Sequence, residues 1–501
     1  MLLVSAMATD SSSSSSGSSV VVVVPLPAQG HTPALVHLSR KLAAEGFSIV
    51  IVSVESVHRK IAARWKCSPQ LDIRLESIPF TSSIPTRLDA QALSQRQELQ
   101  KALFELRVPL EELLVSRLIG EQGLEIKCII SDFHAVWTTP VAQKLGVPQV
   151  CFWSGSAAWA LIDRHVPLLV DLEYIPVPEA SSSPCVDDDS TTQGCSLRGE
   201  KMISFIPGMD PFPALDLPYY LHEFSKVPVW SLVAKSQRLN TDKWFIANTF
   251  ESLEPRETQA MKQLLGEQNF LAIGPLLPLD HEGLEQVVSL EEEELGCLEW
   301  LDSRPEGSVL YISFGSLAVL TQEQFMELAL GVESSGISFL WVIRPAFLPQ
   351  GDLPTMEFFQ GFRDRMVAEK RSIIVPWTPQ KRVLSHASIG AFLTHCGWNS
   401  IVESVWSGVP MLGWPCHSDQ NLNLRLPVES KGIGARVACS SRRTEVVHRE
   451  RVRAVVRKAI EDGGEVRGAV RELRDLAVAA VVEGGSSNRD MATFLERLRS
   501  L

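Results

Sequence analysis

The chain has 501 residues, too many for one ordinary hydrophobic core, so we expect two domains. Its composition, with 45% hydrophobic and 21% charged residues, is that of a globular protein. The net charge of -12 disfavours binding to the phosphate backbone of a nucleic acid, so no nucleic-acid partner is predicted.

The first half of the chain predicts alternating strands and helices. The serine-rich residues 1–19 predict a disordered N-terminus. The apolar run that starts at Val20 predicts a buried parallel strand. A helix is predicted next, in AQGHTPALVHLSRKLAAEGF, because Leu35, Leu38 and Leu42 recur at spacings of three and four. The strand SIVIVSV follows, and the alternation continues with strand IKCIISDF, helix AVWTTPVAQKLGV and strands PQVCFW, KWFIANTF and NFLAIGP.

The second half repeats this pattern after an acidic segment, 278–296, which we predict to be a linker. The predicted strands are SVLYISFGS, SFLWVIRP, SIIVPW and GAFLTH, and the predicted helices are TQEQFMELALGVESSG, PQKRVLSHA and NSIVESVWSG. Two such runs predict an α/β fold of two doubly wound domains, with ligands bound at the carboxyl ends of the strands in a shared cleft. Residues 179–198 predict a flexible insertion, and we favour a solvated loop over a metal site for its Asp187–Asp189 run.

Membrane insertion and disulfide bonding are not expected. No apolar run reaches the roughly 18 residues of a membrane span, and MLLVSAMATD lacks the basic start of a secretory signal. The nine cysteines are scattered and form no CxxC pair, which predicts reduced thiols. We therefore predict a cytoplasmic protein, and expect it to be a monomer.

Residues 377–420 contain polar and aromatic side chains that a hydrophobic core does not need. The strand GAFLTH is predicted to end at His395, followed by a tight turn, with Asn399 and Ser400 at the next helix start. A helix N-terminus binds phosphate oxygens well, and Gly397 allows the backbone to approach closely. His395, Asn399 and Ser400 can donate further hydrogen bonds to the same anion.

Four more residues of this segment complete the pattern. Glu403 lies one helical turn further, within reach of a ribose, and Trp377 offers a flat ring to a base. Asp419 and Gln420 pair an acceptor with an amide, which suits sugar hydroxyls. Each residue taken singly has a more ordinary explanation, such as a core residue or a helix cap. Together they predict a nucleotide-sugar site.

The same 44 residues resemble the signature box of plant secondary-product UDP-glycosyltransferases, with the opening W-x-P-Q, the central H-C-G-W-N-S-x-x-E and the closing D-Q all present. PLPAQGHTPAL, IISDF, VLYISFGS and GGSSNRDMATFLERL resemble other segments of this family in the same order. The resemblance implies the GT-B fold, two Rossmann-like domains facing across a cleft. It implies an acceptor-binding domain at 20–277, a UDP-sugar-binding domain at 297–483, and a helix at 484–501 that packs back on the first domain.

The resemblance also implies the residues of the donor site. For the uracil and ribose these are Trp377, Gln380 and Glu403. For the diphosphate they are Ser316, His395, Asn399 and Ser400, with Gly397 in the turn. For the sugar they are Trp398, Asp419 and Gln420. A terminal glutamine in this box is associated with glucose donors. The chain departs from the family pattern at Cys416 and His417, where the family often has aromatic residues.

Glycosyl transfer also requires a base for the acceptor. His31 follows the first predicted strand and Asp132 ends another, so both lie at one edge of the sheet. Histidine suits general-base catalysis near neutral pH, and Asp132 could orient the imidazole and stabilise its charged form. The residues alone leave a plain helix-flanking role for His31 open, and the resemblance favours the base.

The predicted function is inverting transfer of a sugar, preferably glucose, from a UDP-sugar to a hydroxyl or carboxyl group of a small lipophilic plant metabolite such as a flavonoid, other phenolic or terpenoid. UDP-glucose is the expected co-substrate, with no metal and no other cofactor. The alternatives are another UDP-sugar or a non-catalytic UDP-sugar-binding protein. A dehydrogenase is disfavoured, because VVVVPLPAQGHTP has one glycine where G-x-G-x-x-G is required.

Overall fold

The computed structural model describes residues 19–65, 70–80, 96–175, 201–222, 244–279, 289–344, 347, 353–438 and 445–501. Three of the predicted features fall wholly or partly outside these ranges. They are the serine tract up to residue 18, the insertion at 179–198 with its Asp187–Asp189 run, and residues 280–288 of the predicted linker.

The first domain is built on a parallel sheet of seven strands in the order β3-β2-β1-β4-β5-β8-β9. The strands up to the hairpin β6–β7 are β1 Ser19–Val24, β2 Ser48–Val54, β3 Ile73–Ile78, β4 Glu125–Asp132, β5 Gln149–Trp153, β6 Met202–Ile203 and β7 Phe212–Pro213. The last two are β8 Phe245–Ala247 and β9 Phe270–Ala272. The run from Val20 to Val24 is buried throughout, because helices cover both faces of a parallel sheet.

The helices of the first domain connect these strands. They are α1 Thr32–Ala44, α2 Glu55–Ala63, α3 Arg96–Glu105, α4 Arg107–Glu112, α5 Thr138–Leu145, α6 Ala157–Arg164, α7 Val166–Asp171 and α8 Pro255–Leu265, with a π-helix at Leu113–Glu121 and single 3-10 turns at Ala214–Asp216 and Tyr219–Leu221. Helix α1 shows how the leucine spacing in the sequence corresponds to one buried helix face. Pro33 lies in its first turn, and Leu35, Leu38 and Leu42 are fully buried on one face.

The second domain has a parallel sheet of six strands in the order β12-β11-β10-β13-β14-β15. Its strands are β10 Val309–Ser313, β11 Ser338–Val342, β12 Ser372–Val375, β13 Ile389–Thr394, β14 Met411–Gly413 and β15 Gly434–Arg436. Its helices are α9 Gly296–Asp302, α10 Gln322–Ser335, α11 Leu353–Ala368, α12 Gln380–Leu384, α13 Trp398–Ser407, α14 Gln420–Asn423, α15 Arg449–Glu461 and α16 Gly464–Val481, with a π-helix at Leu424–Glu429. The fold is thus two doubly wound α/β domains, as predicted.

The final helix, α17 (Ser486–Arg499), returns to the first domain. Phe494, Leu495 and Leu498 belong to the hydrophobic core of the first sheet. The Asp490 carboxylate accepts a hydrogen bond from the Ala272 backbone N–H at 2.8 Å, next to the end of β9. The helix therefore links the C-terminal part of the chain to the N-terminal sheet.

The predicted elements agree with the structure in type, and the differences are small. Ser19 was included in the serine tract, whereas it is the first residue of β1. Strand β13 ends at Thr394, one residue before the predicted end at His395. Leu290, inside the predicted linker, is buried in the core of the first domain, so this part of the segment is packed. No helix among the described residues is long and apolar enough to span a bilayer.

Candidate active site

The predicted catalytic pair lies where the strand order of the first sheet reverses, between β1 and β4. His31 immediately precedes α1, and Asp132 is the last residue of β4. His31 Nδ1 lies 2.8 Å from Asp132 Oδ2, and the exposed fractions of the two side chains are 20% and 0%. Because an ionised carboxylate only accepts hydrogen bonds, the imidazole proton belongs on Nδ1, which leaves Nε2 as the proton acceptor.

Two neighbours hold this pair in place. The backbone N–H of His134 donates to Asp132 Oδ1 at 2.9 Å. Ser154, directly after β5, has its Oγ 3.0 Å from His31 Nδ1 and 3.5 Å from Asp132 Oδ2. Sequence reasoning missed Ser154. The available signal was its position after PQVCFW, since β5 lies beside β4 and their carboxyl ends share an edge.

Aromatic rings line the first domain beside His31. The ring centroids of His31 and His134 are 5.4 Å apart, and those of Phe133 and His134 are 3.8 Å apart. Trp159 packs edge-on against Phe133 at 5.0 Å, and its indole N–H donates to the Tyr220 hydroxyl at 2.8 Å. These rings form a packed aromatic cluster beside the base, in which Phe133 and Trp159 are buried and His134 is part-exposed.

The predicted diphosphate site lies at the matching point of the second sheet, where the order reverses between β10 and β13. Ser316 follows β10 and His395 follows β13. A β-carbon at Gly315 would come within 2.6 Å of His395 Nε2, and one at Gly397 within 2.5 Å. The imidazole is thus held between two glycines. Gly397 is the N-cap of α13, whose first N–H groups point toward this loop.

Electrostatics keep His395 uncharged. Burial lowers the pKa of His395 to about 4, and the positive charge of Arg344 acts in the same direction. A neutral imidazole can donate one hydrogen bond to a phosphate oxygen without titrating near pH 7. Arg344, 9% exposed, follows β11 and donates to the Ala318 carbonyl at 2.9 Å. Sequence reasoning missed Arg344, although its place after the strand SFLWVI was a usable signal.

The predicted ribose site is a hydrogen-bonded cluster. Gln380 Nε2 donates to Glu403 Oε2 at 2.8 Å and to Ser400 Oγ at 3.1 Å, and Gln380 Oε1 accepts from the Tyr311 hydroxyl at 3.1 Å. Burial raises the pKa of Glu403, and Lys381, whose Nζ is 3.8 Å from Glu403 Oε1, counteracts that rise. Each group in this cluster therefore has a fixed orientation.

Trp377, the predicted base-stacking residue, is half-buried and packs against the core of the second domain. Its backbone carbonyl accepts a hydrogen bond from the N–H of Glu294 at 3.1 Å, which fixes the main chain at this residue.

The three predicted sugar-binding residues are buried, and their hydrogen bonds are largely internal. Trp398 Nε1 donates to the Asn248 carbonyl of the first domain at 2.8 Å, so this N–H serves a contact between domains. Gln420 Oε1 accepts from the backbone N–H groups of Cys416 and His417 at 2.8 and 2.9 Å. Its Nε2, 3.2 Å from His417 Nδ1, is therefore the part of the amide that can serve a sugar.

The two halves of the candidate site touch. Asn399 Nδ2, predicted to bind the diphosphate, donates to the Gly30 carbonyl at 2.6 Å, one residue before His31. Ser418, next to Asp419, accepts from the Tyr219 backbone N–H at 2.6 Å. Helix α13 and the loop that carries His31 are therefore in direct contact across the cleft. Across the described ranges, no three His, Cys, Asp or Glu side chains converge in a way that could hold a metal ion.

Comparison with known proteins identifies the family. The family model of UDP-glucuronosyl and UDP-glucosyl transferases matches residues 275–460, and that of the glycosyltransferase N-terminal domain matches residues 17–114. UDP-glycosyltransferase 85A1 of Arabidopsis thaliana is 33% identical over 494 residues, which cover 95% of each chain. The chain belongs to the plant UDP-glycosyltransferase family.

Two further relatives of this glycosyltransferase bear on its chemistry. The 7-deoxyloganetin glucosyltransferase of Catharanthus roseus is 30% identical over 498 residues, with coverage of 95% of this chain and 94% of the relative. The structure of Phytolacca americana UGT2 in complex with UDP-2-fluoro-glucose and pterostilbene matches with a TM-score of 0.74 and 26% identity, over 96% of this chain and all of that one. The GT-B fold is thereby confirmed, and the enzyme transfers a glycosyl group from a UDP-sugar to a small metabolite.

Proposed function

We propose that this glycosyltransferase uses UDP-glucose and transfers glucose, with inversion, to a hydroxyl or carboxyl group of a small lipophilic plant metabolite. His31 is the general base in this proposal and Asp132 its partner. The observation that supports it most is the 2.8 Å contact between His31 Nδ1 and the fully buried Asp132 carboxylate, at the edge of the cleft.

Each step follows from groups already described. His31 Nε2 removes the proton of the acceptor hydroxyl as its oxygen attacks the anomeric carbon, and the bond from that carbon to the UDP oxygen breaks. Asp132 stabilises the imidazolium that forms, as in other His–Asp pairs. The N-terminus of α13, together with Ser316, neutral His395 and Ser400, stabilises the growing charge on the diphosphate. For a hydroxyl acceptor the products are a β-glucoside, UDP and one proton, and for a carboxyl acceptor the product is the β-glucose ester.

The choice of substrates rests on the pockets and on relatives. Asp419 and Gln420 supply the sugar-binding side of the site, with Trp377, Gln380 and Glu403 for the uridine. The glucosyltransferase of Catharanthus roseus and the complex of Phytolacca americana UGT2 support glucose as the sugar. His134, the part-exposed ring of the aromatic cluster beside His31, favours a flat or lipophilic acceptor.

The test measures turnover and UDP binding in the same variants. His31→Ala should lower kcat by roughly 10²- to 10⁴-fold, the usual contribution of a positioned general base. UDP affinity, followed by quenching of tryptophan fluorescence, should change little, because the proposed nucleotide contacts belong to the second domain. Asp132→Asn should also lower kcat, and the double variant should lose less than the product of the two losses, since the pair acts as a unit.

His386 provides a matched control. Its Nε2 lies 3.1 Å from Asp302 Oδ1 and its side chain is 20% exposed, the same exposure as His31, but the pair lies away from the cleft. His386→Ala should therefore leave kcat unchanged. Full turnover in His31→Ala would refute the mechanism. A screen of acceptors with UDP-glucose, with product mass as the readout, identifies the acceptor and would reveal a non-catalytic binding protein by the absence of any product.

A further inference from the structure

Asn423, a fully buried residue at the end of α14, connects three parts of the active site. Its Nδ2 donates to Asp419 Oδ2 at 2.7 Å and to the Cys396 carbonyl at 3.2 Å. Its Oδ1 accepts from the Ser156 hydroxyl of the first domain at 3.0 Å. A carboxylate and a carbonyl only accept hydrogen bonds, so the partners fix which end of the amide carries the N–H groups.

The three partners belong to three functional segments. Asp419 is the proposed sugar-binding carboxylate. Cys396 lies in the turn between β13 and α13, which also carries His395, and its φ of 64° shows that this turn is held in a left-handed conformation. Ser156 is the N-cap of α6, and its hydroxyl also accepts from the Trp159 N–H at 3.1 Å.

Ser156 is also close to the proposed base, His31. Ser156 lies two residues after Ser154, whose Oγ is 3.0 Å from His31 Nδ1. The intervening Gly155 has no room for a side chain, since a β-carbon there would come within 2.3 Å of the Trp159 ring. The loop from Ser154 to Ser156 is therefore tightly packed. It contacts the base at one end and, through Asn423, the sugar-binding carboxylate at the other.

From this geometry we infer that Asn423 is a positioning residue, which orients the Asp419 carboxylate toward the sugar and sets it relative to His31 across the cleft. The inference rests on the proposed function, in which Asp419 binds the sugar and His31 is the base. Inverting transfer requires the anomeric carbon and the acceptor oxygen to be aligned within a fraction of an ångström, and misplacement by about 1 Å can cost roughly 10²-fold in rate. One amide that contacts both domains achieves this alignment without contacting either substrate.

The test uses two variants of Asn423 and a matched control. Asn423→Ala removes the amide. Asn423→Asp keeps its shape but replaces the N–H donors with an acceptor that faces Asp419. Both should lower kcat/KM for UDP-glucose by about 10- to 100-fold. The affinity for UDP, which lacks the sugar, should fall much less, because only the longer bond, to the Cys396 carbonyl at 3.2 Å, reaches the diphosphate turn. A merely structural defect would reduce both quantities together.

Asn421 is the matched control. It lies on the same short helix, is 1% exposed, and also reaches the first domain, where its Nδ2 donates to the Leu215 carbonyl at 3.4 Å. Its side-chain hydrogen bond therefore goes to Leu215 and not to Asp419. Asn421→Ala should therefore leave kcat/KM for UDP-glucose within about twofold of wild type, even where it lowers the melting temperature as much as Asn423→Ala does.

A double-mutant cycle decides whether Asn423 acts through Asp419. In an Asp419→Ala background, Asn423→Ala should cause little further loss. Three results would each overturn the inference. The first is that the losses from the two substitutions multiply, and the second is that kcat/KM is unchanged in both Asn423 variants. The third is that Asn423→Asp loses UDP binding at an unchanged melting temperature. Failure of the proposed function looks different, because the wild-type enzyme would then form no glucoside in the same assay.

Discussion

Gln420 has two separable roles, and one substitution can separate them. Its Oε1 accepts from the backbone N–H groups of Cys416 and His417, at 2.8 and 2.9 Å, while its Nε2 is the end available to the sugar. Gln420→Glu keeps an oxygen that accepts from both backbone N–H groups and replaces only the Nε2 hydrogen-bond donor. Gln420→His removes both functions. Among these hydrogen bonds, the first variant should therefore lose only the sugar contact, whereas the second should lose the sugar contact and both backbone contacts.

The magnitudes follow from the hydrogen bonds involved. Loss of one neutral hydrogen bond to a sugar hydroxyl costs about 0.5–1.5 kcal/mol, which corresponds to roughly 2- to 10-fold in kcat/KM for UDP-glucose. In Gln420→His, two N–H groups lose their acceptor. Each such loss costs about 1–3 kcal/mol when fully buried. Because residues 416 and 417 are only half-buried, water satisfies part of this demand, and we expect the lower end, about 2 kcal/mol.

The assay pairs donor competition with thermal unfolding. Wild type and both variants receive equal UDP-glucose and UDP-galactose, and product masses after isotopic labelling of one donor give the ratio. Gln420→Glu and Gln420→His should both erode the preference for glucose, and Gln420→His should lower the melting temperature by about 4–8 °C. An unchanged donor ratio in Gln420→Glu would refute the assignment of Nε2 to the sugar. An unchanged melting temperature in Gln420→His would refute the role of Oε1.

Two further predictions concern metals and pH. Glucosyl transfer should survive exhaustive EDTA treatment, because the start of α13 and its polar neighbours can stabilise the diphosphate. Loss of activity that Mg²⁺ or Mn²⁺ restores would contradict this. Burial lowers the pKa of His395 from 6.5 to about 4, so the unfolded chain takes up the proton first as the pH falls. The stabilisation from neutral His395 is therefore present above pH 6.5 and is lost between pH 6.5 and 4. The difference in melting temperature between wild type and His395→Gln should shrink across that window, and a constant difference would contradict the buried, neutral state.

The fold could be predicted where local patterns were strong. The run Val20–Val24 and the spacing of Leu35, Leu38 and Leu42 predicted a strand and a helix that the structure contains. The strands that were missed are short or lie at an edge. Strands β14 and β15 have three residues each, and both contain a glycine, which interrupts an apolar run. Strand β3 is an edge strand whose residues, apart from Ile78, are not fully buried.

The sequence alone could group candidate site residues only where they lie in one segment. His395 to Glu403 follow one another along one turn and the helix after it, so their spacing alone indicates a shared surface. Ser154 and Asn423 could not be found this way, because their contacts cross between segments 123 and 267 residues apart in the chain. Nor could the orientation of the Gln420 amide be read from sequence, since only the folded loop shows which atom accepts.

Helix α17 has a consequence for synthesis on the ribosome. The first sheet is fully translated once β9 ends at Ala272, but Phe494 and Leu498, which complete its core, are made about 220 residues later. At roughly 5–20 residues per second, the nascent sheet waits on the order of 10–45 seconds with that apolar surface uncovered. During this interval the chain is a natural client for chaperones that bind exposed hydrophobic segments. A stop codon before Ser486 would make that exposure permanent, although it leaves every residue of both sheets intact.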